Sequence, residues 1–303
     1  MEKGKALELF IKRLLINVGF TEVLSDGLYL FEGAAGQMIQ GLGGAHNADV
    51  LLEPPVQTPF YTPTRLLIEC KDYENRIGLP TVRSVFGLRE DINHFEAIDK
   101  NELYNRQRQN RQPISTANYR YAYQVALAAV NGYTKPAQLF AAVHRIPLLE
   151  FRTLPFWGDL SQMIHNPQST EELVMEFADE IGQHMAAAVL NSGQLLFLYQ
   201  LEGECIDFLD YYSLHWSTPT EPWLLSSGNC KYCFHLPTEI LRAWIKGASN
   251  DLELKREAVN CKESVFSSMV VYYRNNLQPM IKMISIDEIE LYKAKRKLEM
   301  LEQ

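Results

Sequence analysis

The chain has 303 residues, 47% of them hydrophobic and 22% charged, with a formal net charge of -8. This is the composition of an ordinary globular protein, long enough for one large domain or two smaller ones. It excludes a generally basic surface for non-specific nucleic-acid binding, though a local basic patch stays compatible with it. No apolar run approaches about 18 residues, so no membrane span is expected. Five scattered cysteines, and an amphipathic stretch following Met1 where a secretory leader would be apolar, fit a reducing, cytoplasmic setting.

In chain order, the first segment places Ala6, Leu7, Phe10, Ile11, Leu14, Leu15 and Val18 at steps of three and four, which predicts an amphipathic helix stopped at Gly19. Residues 20–23 and 28–31 read as short strands. Residues 33–47 (GAAGQMIQGLGGAHN) read as a loop by glycine content, in which Gly43 and Gly44 serve a tight turn. Residues 48–52 form a compact apolar strand ended by Pro54 and Pro55. The segment 65–73 (RLLIECKDY) starts as a buried strand, and the short proline-rich connection makes the two an antiparallel pair.

Residues 79–94 have near-helical apolar spacing with Pro80 at the start. Residues 100–118 are polar and read as an exposed loop or helical excursion. The run 123–130 is a strand buried on both faces. Residues 134–145 make a short helix, with Thr134 as cap and Pro136 in its first turn, and 146–151 return as a strand. Strand, helix and strand in so short a stretch predict a crossover, hence a mixed sheet with a parallel pair. Residues 154–170 break the pattern, and a domain boundary is placed near 165. A helix is expected over 171–190, strands over 194–201, 207–216 and 229–236, a helix over 238–247, strands over 264–274 and 279–286, and a charged helix at the end.

The chemistry-bearing residues cluster around one strand. Side chains alternate along a strand, so Leu67, Glu69 and Lys71 share one face while Leu66, Ile68 and Cys70 share the other. Asp49 begins the preceding strand and can converge with Glu69. Two close carboxylates raise each other's pKa unless a cation sits between them. Magnesium takes one or two carboxylates, keeps several waters, and leaves room for a phosphate oxygen. Lys71 would face the same water and stabilise hydroxide or the charge developing on phosphorus. A lone Glu-X-Lys carries little information. Here it ends an apolar strand, an acid flanked by apolar residues opens the strand before, a helix bearing Glu8 precedes both, and a crossover follows.

Taken in order, these segments resemble the PD-(D/E)XK nuclease superfamily, and within it the Mrr-like restriction endonucleases. GKALELFIKRLLINVGF is similar to the family's first helix with its glutamate, here Glu8. GGAHNADVLL is similar to the glycine-rich turn before the metal-binding aspartate, here Asp49. LLIECKDY is similar to the catalytic strand, and residues 123–151 to the closing strand-helix-strand. The resemblance covers roughly residues 1–155, about half the chain. Ala48 stands where the family often has proline, and residues 95–120 read as an insertion.

The resemblance implies an α/β, restriction-endonuclease-like mixed sheet flanked by helices over 1–165. A C-terminal α+β domain over 166–303 would then serve target recognition, regulation or dimerisation. It implies metal-dependent hydrolysis of DNA phosphodiester bonds in restriction or other anti-phage defence. Asp49 and Glu69 would bind magnesium, or manganese in its place, with the peptide carbonyl of Cys70 facing the same ion. Lys71 would be the catalytic lysine and Glu8 a third acid. DNA is the expected partner, a homodimer suits two cuts on two strands, and a defence-system partner protein is a further expectation. Alternatives are a repair or recombination nuclease, a nuclease effector switched on through its C-terminal domain, and a catalytically silent DNA-binding module of nuclease fold.

Weaker signals have plainer readings. Arg83 and Arg89, with Arg106, Arg108 and Arg111 in the polar insertion, suit either phosphate or a solvated surface. His46 and Asn47 are expected to hold the loop by hydrogen bonds. Cys230, Cys233 and His235 resemble half a zinc site without its second half, so an ordinary strand is expected. The aromatic run 210–216 is expected to pack in a core rather than stack on bases.

Overall fold

A computed structural model describes residues 4–26, 29–34, 36–57, 61–95, 121–215, 222–236, 249–276 and 278–301. The first half runs α1 (Lys5–Asn17), β1 (Thr21–Glu22), β2 (Leu30–Gly33), β3 (Gly36–Gln40), β4 (Ala45–Asn47), β5 (Val50–Glu53), β6 (Thr64–Lys71), α2 (Leu79–His94), β7 (Ala122–Ala129), α3 (Lys135–Val143) and β8 (Leu148–Leu149). A five-stranded sheet has the order β1-β5-β6-β7-β8. β5 runs antiparallel to β6, with Val50 opposite Ile68 and Leu52 opposite Leu66. β6, β7 and β8 are mutually parallel neighbours, as the crossover reading requires.

Alternation along β6 sorts its side chains onto two cores. Leu66, Ile68 and Cys70 join a cluster with α1 residues Leu7, Phe10, Ile11, Leu14 and Leu15. Leu67 joins a second cluster with Val82 and Val85 of α2 and Ala137 and Ala141 of α3. The mixed sheet is thus covered on both faces, which explains why β7 reads as an unbroken apolar run from Val125 onward.

The second half runs α4 (Trp157–His165), α5 (Glu171–Gly182), β9 (Met185–Leu190), β10 (Leu195–Glu202), β11 (Tyr211–His215), β12 (Trp223–Ser227), β13 (Cys230–Phe234), α6 (Asp251–Ser264), β14 (Ser268–Asn275), β15 (Gln278–Ile286) and α7 (Glu288–Leu301). The strands close a seven-stranded barrel in the order β10-β13-β12-β11-β15-β14-β9. β9 meets β10 through an antiparallel pairing that pairs Ala187 with Phe197. All neighbours are antiparallel except β11 and β15. The interior is packed with Phe208, Tyr212, Trp223, Tyr232, Phe234 and Phe266.

The boundary at 165 falls between α4 and α5, yet one buried cluster crosses it. Met185, Ala187, Leu195 and Phe197 point out of the barrel into the core beneath α1, while Ala186, Ala188, Leu196 and Leu198 point into the barrel. Arg13 clamps Asp179 with two hydrogen bonds of 2.6 and 2.8 Å, and Asn17 donates to the same carboxylate at 2.9 Å. The Gln194 carboxamide donates to Leu148 O at 3.1 Å and accepts from Leu148 N at 3.4 Å, so one side chain extends the edge of β8. Buried Glu150 bonds Arg152, and its Oε2 lies 3.4 Å from His235 Nε2 at the end of β13.

Several expectations change. The glycine-rich segment 33–47 holds β3 and β4, which pair with β2 in a small antiparallel sheet. Glycine composition hid the strands because the turns that join them supply most of the glycines. Residues 154–170, which break the pattern, contain α4. The helix expected over 171–190 ends at Gly182, and 185–190 are a strand. That strand is buried on both sides, so it lacks the alternation that marks a strand. The strand over 146–151 shortens to Leu148–Leu149, and β12 and α6 were not anticipated. Thr134 stands at the α3 cap position, but its side chain makes no cap bond. The insertion with Arg106, Arg108 and Arg111, and the helix expected over 238–247, lie outside the described residues. Among the described residues, no helix is long and apolar enough to cross a membrane.

Candidate active site

The site forms where β5 begins and β6 ends. Antiparallel pairing carries Asp49, one residue before β5, to the end of β6. There Asp49 Oδ2 accepts the backbone N–H of Cys70 at 2.8 Å, and Asp49 Oδ1 accepts from Asn47 Nδ2 at 2.8 Å. Both oxygens are thereby aimed by neighbours on the chain. The Lys71 ammonium lies 2.8 Å from Glu69 Oε2 and 3.6 Å from Asp49 Oδ2. The three side chains are only 7% (Asp49), 14% (Glu69) and 23% (Lys71) exposed, so their charges act on one another through little water.

The electrostatics record that crowding. Burial pushes the Glu69 carboxyl up, and Asp49's charge pushes it further; Lys71 and, more weakly, His46 pull the other way without cancelling the rise. Glu8, in the first turn of α1, is also pushed up by burial first and by Asp49 second, against Lys5 and Lys71. The influence of Asp49 and Lys71 ties Glu8 to the same end of the sheet. Burial by itself lowers the Lys71 ammonium, but Glu69's charge and hydrogen bond, together with Asp49, outweigh it and hold Lys71 protonated.

The Cys70 side chain lies in the core under α1, and burial raises its thiol well above the ordinary range. Any ligand from Cys70 is therefore its peptide carbonyl, while its N–H holds Asp49. Tyr73 is half exposed, and Asp72 is mostly covered with His165 4.0 Å away. Arg89 donates to His144 O at 2.8 Å, and Arg83 lies over the Phe140 ring, so both serve the α2–α3 packing.

His46 and Asp91 form a pair that sequence reasoning did not join. His46 Nε2 is 2.7 Å from Asp91 Oδ2, and Asp91 Oδ1 accepts the Gly43 N–H at 2.9 Å. A Cβ at Gly41 would run into both side chains, so glycine is required there. Asp91, on α2, thus fixes the turn that leads through Asn47 to Asp49. The glycines were a visible signal of close approach, but nothing in the sequence pointed to Asp91 as the group approached.

Cys230, Cys233 and His235 do not converge on a metal: Cys233 is buried in the core beneath α1, and His235 Nδ1 lies 2.7 Å from Thr153 Oγ1. Among the described residues no group of three or more His, Cys, Asp or Glu side chains is arranged as a ready cage. The Asp49–Glu69 pair nevertheless fits a hard divalent cation. It offers two carboxylates, the number a magnesium ion commonly takes with water completing its shell. Glu69 and Glu8 are raised first by burial and second by Asp49's charge, and a bound cation would offset the second of these.

No protein-family model matches the chain, and no curated protein matches it. Among solved structures it is similar to the protein of unknown function AF1548, with 14% sequence identity and a TM-score of 0.31. The match covers 57% of this chain and 65% of that one, less than two thirds of its length. A likeness of that size carries no argument about fold or activity.

Proposed function

We propose that the chain is a magnesium-dependent endodeoxyribonuclease of the PD-(D/E)XK superfamily, with a restriction-endonuclease-like core built on the five-stranded mixed sheet. The observation that carries this reading is the convergence of Asp49 and Glu69 from adjacent antiparallel strands, with the Lys71 ammonium between them. In this reading Asp49 and Glu69 hold the cation, joined by the Cys70 carbonyl. A bound divalent ion supplies Lewis-acid polarisation of a phosphoryl oxygen and acidifies a bound water. Lys71 stays protonated and donates to the attacking oxygen or to a non-bridging phosphate oxygen, where its charge offsets the one that develops. Asn47 and the Cys70 N–H keep Asp49 in its orientation. Glu8 accepts a hydrogen bond from water at the edge of the site.

The substrate class follows from the chemistry of a phosphodiester; DNA, a homodimeric state, a defence-system partner and a role in restriction follow from the sequence resemblance. The test is nicking and linearisation of supercoiled plasmid by the full chain with magnesium, with manganese and with EDTA. Wild type is expected to cut with either metal and to fall silent in EDTA. Asp49→Ala and Lys71→Ala are expected to lose activity by roughly a hundredfold or more. Equal cutting by all three proteins would sink the catalytic reading. Binding without cutting, in every metal, would favour the silent DNA-binding alternative.

A further inference from the structure

A cleft of about 360 Å³ lies at the opposite end of β6 from Lys71, between the sheet and the barrel. Its walls come from both halves: Phe20, Gln57 and Gln124 from one, Asn191 and Tyr272 from the other, with Arg145 at the junction. Thr64 and Leu66 of β6 also line it, so about 17 Å of strand separates the nearer of them from Lys71. This distance sets it apart from the candidate active site. Its volume lies within the range of small-ligand sites, about 300–1,000 Å³, which favour junctions between domains.

Three features give the cleft a chemical character. Among the described residues lining it, Arg145 alone carries a charge, which selects an anion. Phe20 and Tyr272 meet edge to face with ring centroids 5.2 Å apart and form an aromatic wall. Gln124 is exposed at the start of a strand otherwise buried from Val125 onward, and its carboxamide offers a donor and an acceptor together.

Arg145 supplies the independent observation. It follows the last turn of α3 with φ of 53°, in the left-handed region that favours glycine. The turn is a common helix ending, with Ile146 N bonded to Ala141 O at 2.9 Å. Glycine would satisfy that backbone without strain, so helix termination does not account for the arginine. Arg145 also lines an adjoining recess of about 170 Å³, shared with Pro147 and Ser192 of the same junction. A non-glycine residue held in the left-handed region at the wall of a cleft marks a candidate functional position.

We propose that this cleft binds a small anion with an aromatic ring, of the nucleoside monophosphate class, with Arg145 on the phosphate, Gln124 on the base edge and Phe20 and Tyr272 against the ring. A ligand there touches both halves of the molecule and ties the barrel to the sheet. The proposal does not depend on the nuclease reading.

The test is thermal-shift and calorimetric titration of the full chain, in EDTA, with AMP, GMP, CMP and UMP, and with inorganic phosphate and adenosine as separate arms. At millimolar concentration at least one nucleotide is expected to raise the melting temperature, and to do so more than phosphate or adenosine. Arg145→Gly is expected to melt at or above the wild-type temperature, because glycine suits the local backbone, and to bind the nucleotide roughly tenfold more weakly or worse. Absence of any shift in wild type overturns the proposal. So does unchanged affinity in Arg145→Gly, or a response to phosphate equal to that of every nucleotide. Binding lost in Lys71→Ala but retained in Arg145→Gly would move the ligand to the other end of the strand and overturn it as well.

Discussion

At the scale of single residues, the candidate site depends on groups that aim the acids as much as on the acids. Asn47 holds one oxygen of Asp49 and the Cys70 N–H holds the other. Asn47→Ala is expected to leave the fold intact and to weaken magnesium affinity by about 10–100-fold, the usual effect of removing a group that orients a ligand. Titration of magnesium against plasmid cleavage and against melting temperature measures it; an unchanged midpoint in both would remove Asn47 from the site. Glu8 makes a prediction about stability. The fold raises its carboxyl, so the favourable contribution is complete below the ordinary glutamate value of about 4.3 and is lost as pH rises through the raised value. In the absence of metal, Glu8→Gln should therefore raise the melting temperature at pH 7 by on the order of 1–3 °C. The gain should shrink near pH 4, and a gain equal at both pH values would contradict the linkage.

At the scale of elements, the parts that read clearly were those with one buried face or two well-marked ends. α1 and α2 came out at nearly their predicted bounds because apolar spacing, Gly19 and Pro80 agree. β5 and β6 did so because prolines separate two apolar runs. β9 was misread because Ala186 and Ala188 face the barrel while Met185 and Ala187 face the core under α1, which leaves no polar face to reveal the period. β3 and β4 were missed for the opposite reason: between the two strands only Ile39 is buried, so little hydrophobic pattern exists to be read. The parallel strands have an internal tie that no pattern announced. The hydroxyl of fully buried Tyr133 lies 2.6 Å from Leu127 O and 2.8 Å from Leu149 O, sharing its proton between β7 and β8. Tyr133→Phe is expected to destabilise the protein by about 1–3 kcal/mol, measured by urea unfolding. A change below a few tenths would show that water or a local shift satisfies those carbonyls.

At the scale of the molecule, the two halves are joined by a shared apolar core and by a seam of charged pairs. Asp179 is held below the ordinary aspartate range first by the Arg13 hydrogen bond, with burial opposing and Asn17 adding to it. Glu150 is also lowered: burial pushes it up, but His235 and Arg152 together outweigh that. For carboxyls of this kind, the stabilisation is present above their unfolded values, about 3.9 and 4.3, and is lost as pH falls through the depressed ones. Arg13→Ala should cost under about 1 kcal/mol at pH 7, because the pair is partly exposed. The difference from wild type should shrink as pH falls below about 3.9 and through the depressed value, as read from melting curves across that range. A constant difference would assign the loss to packing of the arginine stem.

The sequence by itself determined the local chemistry: the helix of α1, the two strands of the hairpin, and the presence of Asp49, Glu69 and Lys71 at positions where a strand's alternation can bring them together. Those features depend on residues close in sequence or on a short connection, so periodicity and turn chemistry suffice to place them. Only the tertiary structure decided what lies far apart along the chain. It set Asp91 against His46 and closed seven strands into a barrel. It also placed the outer faces of β9 and β10 against α1 and made Arg145 part of a cleft with walls from both halves. Each of these depends on which buried surfaces meet. That choice is made by packing across the whole molecule, and no window of sequence contains it.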